Sequence, residues 1–96
     1  MYAVYVLFSF KDGQLYIGFS SKLANRIEDH YRGFSKSTKY RRPLKLIFYE
    51  YYLSKMDAIR REKYFKTTAG KRTLRLMLKH SLSQIKYNEF YQKNRL

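Results

Sequence analysis

Two tyrosines, an arginine, a histidine and a glutamate are the residues of this chain best suited to work on an anionic substrate: Tyr5, Tyr16, Arg26, His30 and Glu62. Arg26 and His30 lie four apart in a segment where Leu23, Ile27 and Tyr31 recur at helical spacing, so they are neighbours on one helix surface. Arginine grips a phosphate with paired donors and keeps its charge, while histidine exchanges a proton near neutral pH. The same spacing also describes a solvated polar face shared with Glu28 and Asp29, and the sequence leaves both readings open.

Glu62 is more informative. Past the first turn of the segment Lys55–Lys66 it is the only acid, and its helical neighbours are the apolar Ala58, Ile59 and Phe65. That geometry turns the carboxylate toward the interior, where it costs free energy unless paired or bound to a cation. An ion pair with Lys66, four residues on, is the ordinary explanation. It is worth only ~0.2–0.5 kcal/mol and does not account for the inward placement, so a functional carboxylate is favoured. Tyr5 and Tyr16 belong to strand-like segments, where aromatic residues taken alone are more often packing than chemistry. Gly18 leaves space for a ligand or a second backbone to approach. Lys36, Lys39, Arg41, Arg42 and Lys45, with Tyr40 among them, form one basic cluster. Lys71, Arg72, Arg75 and Lys79 form another. Such clusters suit phosphate contacts, and the tyrosine suits base stacking.

The elements that must position these residues can be read in outline. Tyr2–Phe10 is β-branched and aromatic on both parities, the pattern of a strand covered on both faces. Asp12-Gly13 signals a hairpin into Leu15–Phe19. Counting inward from that turn places Tyr16 near Phe8, with Tyr5 deeper and on a diagonal. Ser20 and Ser21 are N-cap candidates for a helix over Lys22–Arg32 that stops at Gly33. Phe34–Pro43 reads as a basic loop and Leu44–Tyr52 as a third strand. Ser54 and Asp57 resemble a capping box opening a helix to about Lys66. Thr67–Gly70 breaks it, and a further helix is expected over Lys71–His80, with possible helix beyond around Leu82 and Ile85. The order predicts an α+β fold, a small three-stranded antiparallel sheet flanked by helices.

Composition sets the bounds. The chain has 96 residues with 21 Lys and Arg against 7 Asp and Glu, a formal net charge of +14. Hydrophobic residues make up 45% and aromatics 19%, which is the composition of a folded domain rather than a charged disordered chain. A domain at this charge repels itself and is suited to a polyanion, nucleic acid first. There is no cysteine, which excludes disulfides, thiolate metal sites and thiol catalysis. No apolar run is long enough for a membrane span, and Met1–Phe10 lacks the basic start and cleavage site of a signal peptide. A cytoplasmic protein without membrane partners is expected.

Ala3-Val4-Tyr5, then Tyr16-Ile17-Gly18, Arg26 and Glu62 in this order resemble the GIY-YIG nuclease superfamily. The segments LYIGFS, NRIEDH, TKYRRPLKLIFYE and AIRREKYFK are most similar to its small standalone branch, related to the N-terminal nuclease domain of the excision-repair protein UvrC. The resemblance covers about residues 2–80. It implies a nuclease-like domain over residues 1–80, with 81–96 a tail or a helical extension of it. It also implies metal-dependent hydrolysis of a phosphodiester in nucleic acid, most naturally DNA, in repair or recombination, with Mg²⁺ or Mn²⁺ as cofactor. Carried onto this chain, Tyr5 and Tyr16 are the motif tyrosines, one of which activates the attacking water, and Gly18 is the motif glycine. Arg26 stabilises charge on the phosphate, His30 assists proton transfer or binds phosphate, and Glu62 holds the metal. Ala3 stands where the family motif has glycine. A phenol with pKa ~10 needs nearby cations to act as a base at pH 7, and the chain is rich in cations. The competing class is a nucleic-acid-binding module of the same fold with little or no catalysis; a ribosome-associated RNA binder is the third.

Overall fold

A computed structural model describes residues 1–94, with side chains described through Lys86. Three strands, β1 (Tyr2–Ser9), β2 (Leu15–Ser20) and β3 (Leu44–Tyr52), form one antiparallel sheet in the order β2-β1-β3. Among the described residues there are also four α-helices: α1 (Leu23–Arg32), α2 (Lys55–Lys66), α3 (Thr68–Met77) and α4 (Lys79–Asn94). A short 3₁₀ turn, Lys39–Arg41, interrupts the basic loop before β3.

The central strand β1 explains its own sequence. Val4, Val6 and Phe8 face α2, α3 and α4, packing with Ile17, Ala58, Phe65, Leu74, Leu78, Leu82 and Ile85 in the main core. Tyr5 and Leu7 face the other way and pack with Ile27 of α1 in a smaller cluster. Both parities are therefore apolar because both faces are covered. Leu82 and Ile85 of α4 belong to the same core as the strands. Residues 95–96, part of the expected tail, lie outside the described residues.

Several local expectations are corrected. The hairpin closes on Ser9 and Gln14, through Ser9 N–H to Gln14 O at 3.0 Å and Gly13 N–H to Ser9 O at 2.8 Å. Tyr16 consequently opposes Leu7, not Phe8, and Tyr5 opposes Gly18. Helix α1 begins one residue later than expected with Lys22 at its N-cap; Ser20 Oγ instead accepts the Lys22 N–H at 2.9 Å. It stops at Gly33 in the left-handed region, φ 81°, as the sequence indicates. Ser54 occupies the N-cap of α2 without a side-chain capping bond, while Asp57 sits in the first turn, where its charge favours the helix dipole. The break after α2 is a single residue: Thr67 Oγ1 accepts the Gly70 N–H at 3.0 Å and starts α3 at Thr68, earlier than Lys71.

One irregularity in β3 matters for the site. The pairing with β1 shifts between Val6 and Leu7, leaving Ile47 as the extra residue between Leu46 and Phe48. A bulge of this kind changes the facing of the rest of the strand. Leu44 and Leu46 pack under α1, and beyond the bulge Tyr49 opposes Tyr5 while Glu50 opposes Val4 on the face of α2. There Glu50 accepts from Arg61 Nε and from Tyr52 Oη, both at 2.6 Å. Burial and the Glu50 carboxylate push the Tyr52 phenol up to about 12.

Candidate active site

Tyr5, Tyr16, Arg26 and His30 come together on the α1 face of the sheet. Tyr5 and Gly18 are directly opposite, and Tyr16 lies two residues along β2 on the same face. The two phenol rings are tilted at 6.4 Å between centroids, and His30 meets both edge-on, 5.6 Å from Tyr5 and 5.2 Å from Tyr16. A Cβ at Gly18 would collide with Cζ and Oη of Tyr5, so the glycine is what admits the phenol. Gly18→Ala is expected to displace Tyr5, costing ~1–3 kcal/mol as overpacking does. Thermal denaturation would read that loss, together with the departure of Tyr5 from His30.

His30 is fully buried, which removes the solvated-face reading left open by spacing. Its Nε2 is 2.8 Å from Tyr5 Oη and its Nδ1 is 2.6 Å from Thr38 Oγ1. Burial first, then the Arg26 charge, lower its pKa to about 4 against the pull of Asp29, so the ring is neutral at pH 7. Neutral imidazole donates at one nitrogen and accepts at the other, and the chain Tyr5–His30–Thr38 is satisfied in either tautomer. Tyr5 departs from the expectation of a depressed phenol. Burial, with Tyr16 beside it, pushes its pKa up to about 12, outweighing the Arg26 guanidinium. Desolvation of the phenolate wins because Tyr5 is almost entirely enclosed. Tyr16, by contrast, is partly exposed.

The loop after α1 supplies side chains that residue type alone did not single out. Ser35 Oγ accepts from Arg26 Nη2 at 3.2 Å, and Ser35 and Ser37 hydroxyls are 3.0 Å apart. Ser37 Oγ donates to Tyr16 Oη at 3.2 Å. One loop thus holds Arg26, Tyr16 and His30 through three hydroxyls. The Ser-Lys-Ser-Thr run is the available signal, masked by its lysine and by the basic residues that follow.

Glu62 approaches from the other layer. It is only partly exposed, with its side chain at 20%, on the same helix as the buried Ala58 and Phe65. Its Oε2 is 3.3 Å from Lys66 Nζ, the ordinary pair the spacing allowed. The carboxylate is also near enough to contribute to raising the Tyr5 pKa. Among the described residues no group of three or more His, Cys, Asp or Glu side chains forms a metal cage. A lone carboxylate completed by water and phosphate oxygens suits Mg²⁺, which keeps much of its own hydration, and does not suit a cation needing many protein ligands.

The basic candidates divide. Arg41 pairs with Asp12 across the hairpin tip at 2.9 Å, and this bond holds the Asp12 carboxyl down at about 2. Arg42 Nε donates to Lys39 O at 3.2 Å, and Tyr40 is 73% exposed. Lys36 is exposed in the loop, and Lys71, Arg72 and Arg75 are exposed on α3. Lys45 opposes Phe8 and therefore lies on the face of α2 and α4, away from Tyr5.

The family model for the GIY-YIG catalytic domain matches residues 1–75. This chain belongs to the GIY-YIG catalytic domain family. It is similar to the UPF0213 protein of Staphylococcus aureus strain Mu3 and to UPF0213 protein SAV0488 of strain Mu50. Each is 42% identical over 67 residues, covering 69% of this chain and 82% of the relative. Its fold is similar to the solution structure of the UPF0213 protein BH0048 from Bacillus halodurans, with a TM-score of 0.52 and 32% identity, covering 80% of this chain and 85% of that one. The three-stranded antiparallel sheet and flanking helices are the GIY-YIG arrangement, and both motif tyrosines lie on one face of its hairpin. Among the described residues of this GIY-YIG domain, no helix is long and apolar enough to cross a membrane.

Proposed function

We propose that this protein is a divalent-metal-dependent endonuclease that hydrolyses phosphodiester bonds in DNA. The observation that carries the reading is the convergence of Tyr5, Tyr16, Arg26 and His30 on one face; Glu62, a half-buried carboxylate on α2, is near enough to act weakly on the Tyr5 phenol. Packing alone would not require a buried imidazole bonded to a phenol on one side and a threonine on the other.

In this reading the roles follow exposure and charge. Tyr16, the partly exposed phenol, meets the substrate and orients the attacking water, its hydroxyl oxygen accepting from Ser37 Oγ. Arg26, fixed by Ser35, faces the charge that grows on the phosphate. His30 in the tautomer with an unprotonated Nε2 can take the Tyr5 proton while Tyr5 takes one from water. His30 then carries the proton, and its Nδ1–H donates to Thr38 Oγ1. The hydroxide bonds to phosphorus as the P–O bond to the leaving nucleoside oxygen breaks. That oxygen takes its proton from solvent while His30, with a pKa of about 4, gives up its own. Glu62 would hold Mg²⁺ or Mn²⁺, which supplies neutralisation of charge on the scissile phosphate. Lys36, Lys39, Arg42, Lys71, Arg72 and Arg75 would grip the backbone without reading sequence. Repair or recombination is the setting this chemistry suits, in the cytoplasm.

Incubating supercoiled plasmid and branched DNA with the protein tests the reading. Nicked or cut products should form with Mg²⁺ or Mn²⁺ and not in EDTA. Binding without cutting of any substrate would favour the non-catalytic module.

A further inference from the structure

The loop that clamps the candidate active site has a second end. Ser35, Ser37 and Thr38 reach back to Arg26, Tyr16 and His30, and the residues that follow immediately line an open cleft of about 450 Å³. Lys11 from the hairpin tip, Tyr31 from α1, and Lys39, Tyr40 and Arg42 from the loop form its walls. The cleft is within the ~300–1,000 Å³ range of pockets that hold small organic molecules.

Its chemistry is selective. The lining contains three cations, two tyrosines and no carboxylate. Asp12, the acid next to Lys11, is engaged by Arg41. Lys39 Nζ lies 4.8 Å from the centre of the Tyr40 ring, and that ring is 73% exposed, leaving a face open to another planar group. The Tyr31 hydroxyl is committed to the Leu46 N–H at 2.8 Å, which holds its ring as a wall. Cations beside an open aromatic face are the recognition pattern for a phosphate with a base attached. A base inside a duplex cannot offer its face to a side chain; an unpaired one can.

We propose that this cleft is a nucleotide subsite that receives one unpaired nucleotide of the substrate strand. Its base stacks on Tyr40, and its phosphate is held by Lys11, Lys39 and Arg42. The assignment rests on the endonuclease reading for its substrate and adds to it a class: DNA with an unpaired nucleotide close to the bond that is cut. The shared loop sets the closeness, since Thr38 touches His30 and Lys39 lines the cleft.

The test uses the full chain in EDTA. The probes are a blunt duplex and the same duplex with a short overhang containing 2-aminopurine. Wild type is expected to quench the 2-aminopurine and to bind the overhang duplex about tenfold more tightly, since an unpaired base gains by stacking on an aromatic ring. Tyr40→Ala, at an exposed position that does not support the core, should abolish the quench and the preference while changing blunt-duplex affinity less than threefold. The double substitution Lys11→Ala with Lys39→Ala should flatten the salt dependence of overhang binding by one phosphate, a change in slope of ~0.7. Equal binding of both probes without quench, or equal weakening of both by Tyr40→Ala, would overturn the subsite. Cleavage in Mg²⁺ separates the two claims. A chain that quenches but never cuts retires the endonuclease reading and keeps the subsite; a chain that cuts without quenching does the reverse.

Discussion

Replacing Glu62 by Gln is expected to lower the single-turnover cleavage rate by at least ~10³-fold while DNA affinity in EDTA changes little. The estimate follows from what a bound cation does at a phosphate, which is several kcal/mol of transition-state stabilisation, at about 1.4 kcal/mol per tenfold in rate. Glutamine keeps the size of the side chain and its capacity to accept from Lys66, so the 3.3 Å contact on α2 is the smaller loss. That pair is partly exposed, with Lys66 at 52%, and such helix pairs contribute only ~0.2–0.5 kcal/mol. A structural role for Glu62 would therefore show as an unchanged rate and a melting temperature shifted by a degree or two. A metal-holding role would show the opposite pattern.

His30→Ala is expected to damage both stability and chemistry. The substitution strands Tyr5 Oη and Thr38 Oγ1 in a fully buried place, and each polar group left without a partner costs ~1–3 kcal/mol. A total near 3 kcal/mol in a chain of this length corresponds to a fall of ~12–24 °C in Tm. Cleavage should fall ~10²–10⁴-fold if the ring takes part in proton transfer. The pH dependence gives an independent signature. Burial lowers His30 from 6.5 to about 4, so between those values the unfolded chain binds a proton that the native one does not. The contribution of His30 to stability is fully present above pH 6.5, falls as pH drops through the window, and is gone by about 4, a loss of about 3 kcal/mol. Urea denaturation from pH 7 to pH 4 should show that slope in wild type and lose most of it in His30→Ala. Asp12, with its carboxyl at about 2, titrates below the window and does not mimic it.

These expectations mix what the residues announced with what only the fold supplied. The strands are legible as β-branched and aromatic runs, α1 from the spacing of Leu23, Ile27 and Tyr31, and α2 from Ser54 and Asp57 at its start, and Gly33 stops α1 as a left-handed glycine should. The hairpin register is not, because Asp12-Gly13 fixes that a turn exists but not whether Ser9 or Phe10 closes it; one position of slip decides which residues face Tyr5. The bulge at Ile47 is hidden in a run apolar on both parities, yet it places Tyr49 opposite Tyr5 and Glu50 opposite Val4, on the α2 face. Charge arithmetic pointed to a depressed phenol at Tyr5, whereas burial raises it, because enclosure is a property of packing and not of composition. The contacts of the Ser35, Ser37 and Thr38 hydroxyls with Arg26, Tyr16 and His30 are hidden in the sequence for the same reason. Arg41 looked free to meet phosphate until the hairpin tip brought Asp12 to it.

The central claim is that Glu62 and the tyrosine–histidine face together make a metal-dependent nuclease. Single-turnover cleavage of one labelled DNA by wild type and Glu62→Gln, titrated with Mg²⁺, tests it most directly. The account predicts a wild-type rate that rises with Mg²⁺ to a plateau, and a variant that binds the DNA equally well yet stays at least ~10³-fold slower at every concentration. Equal cutting by both proteins, or binding by both with cutting by neither, would contradict it.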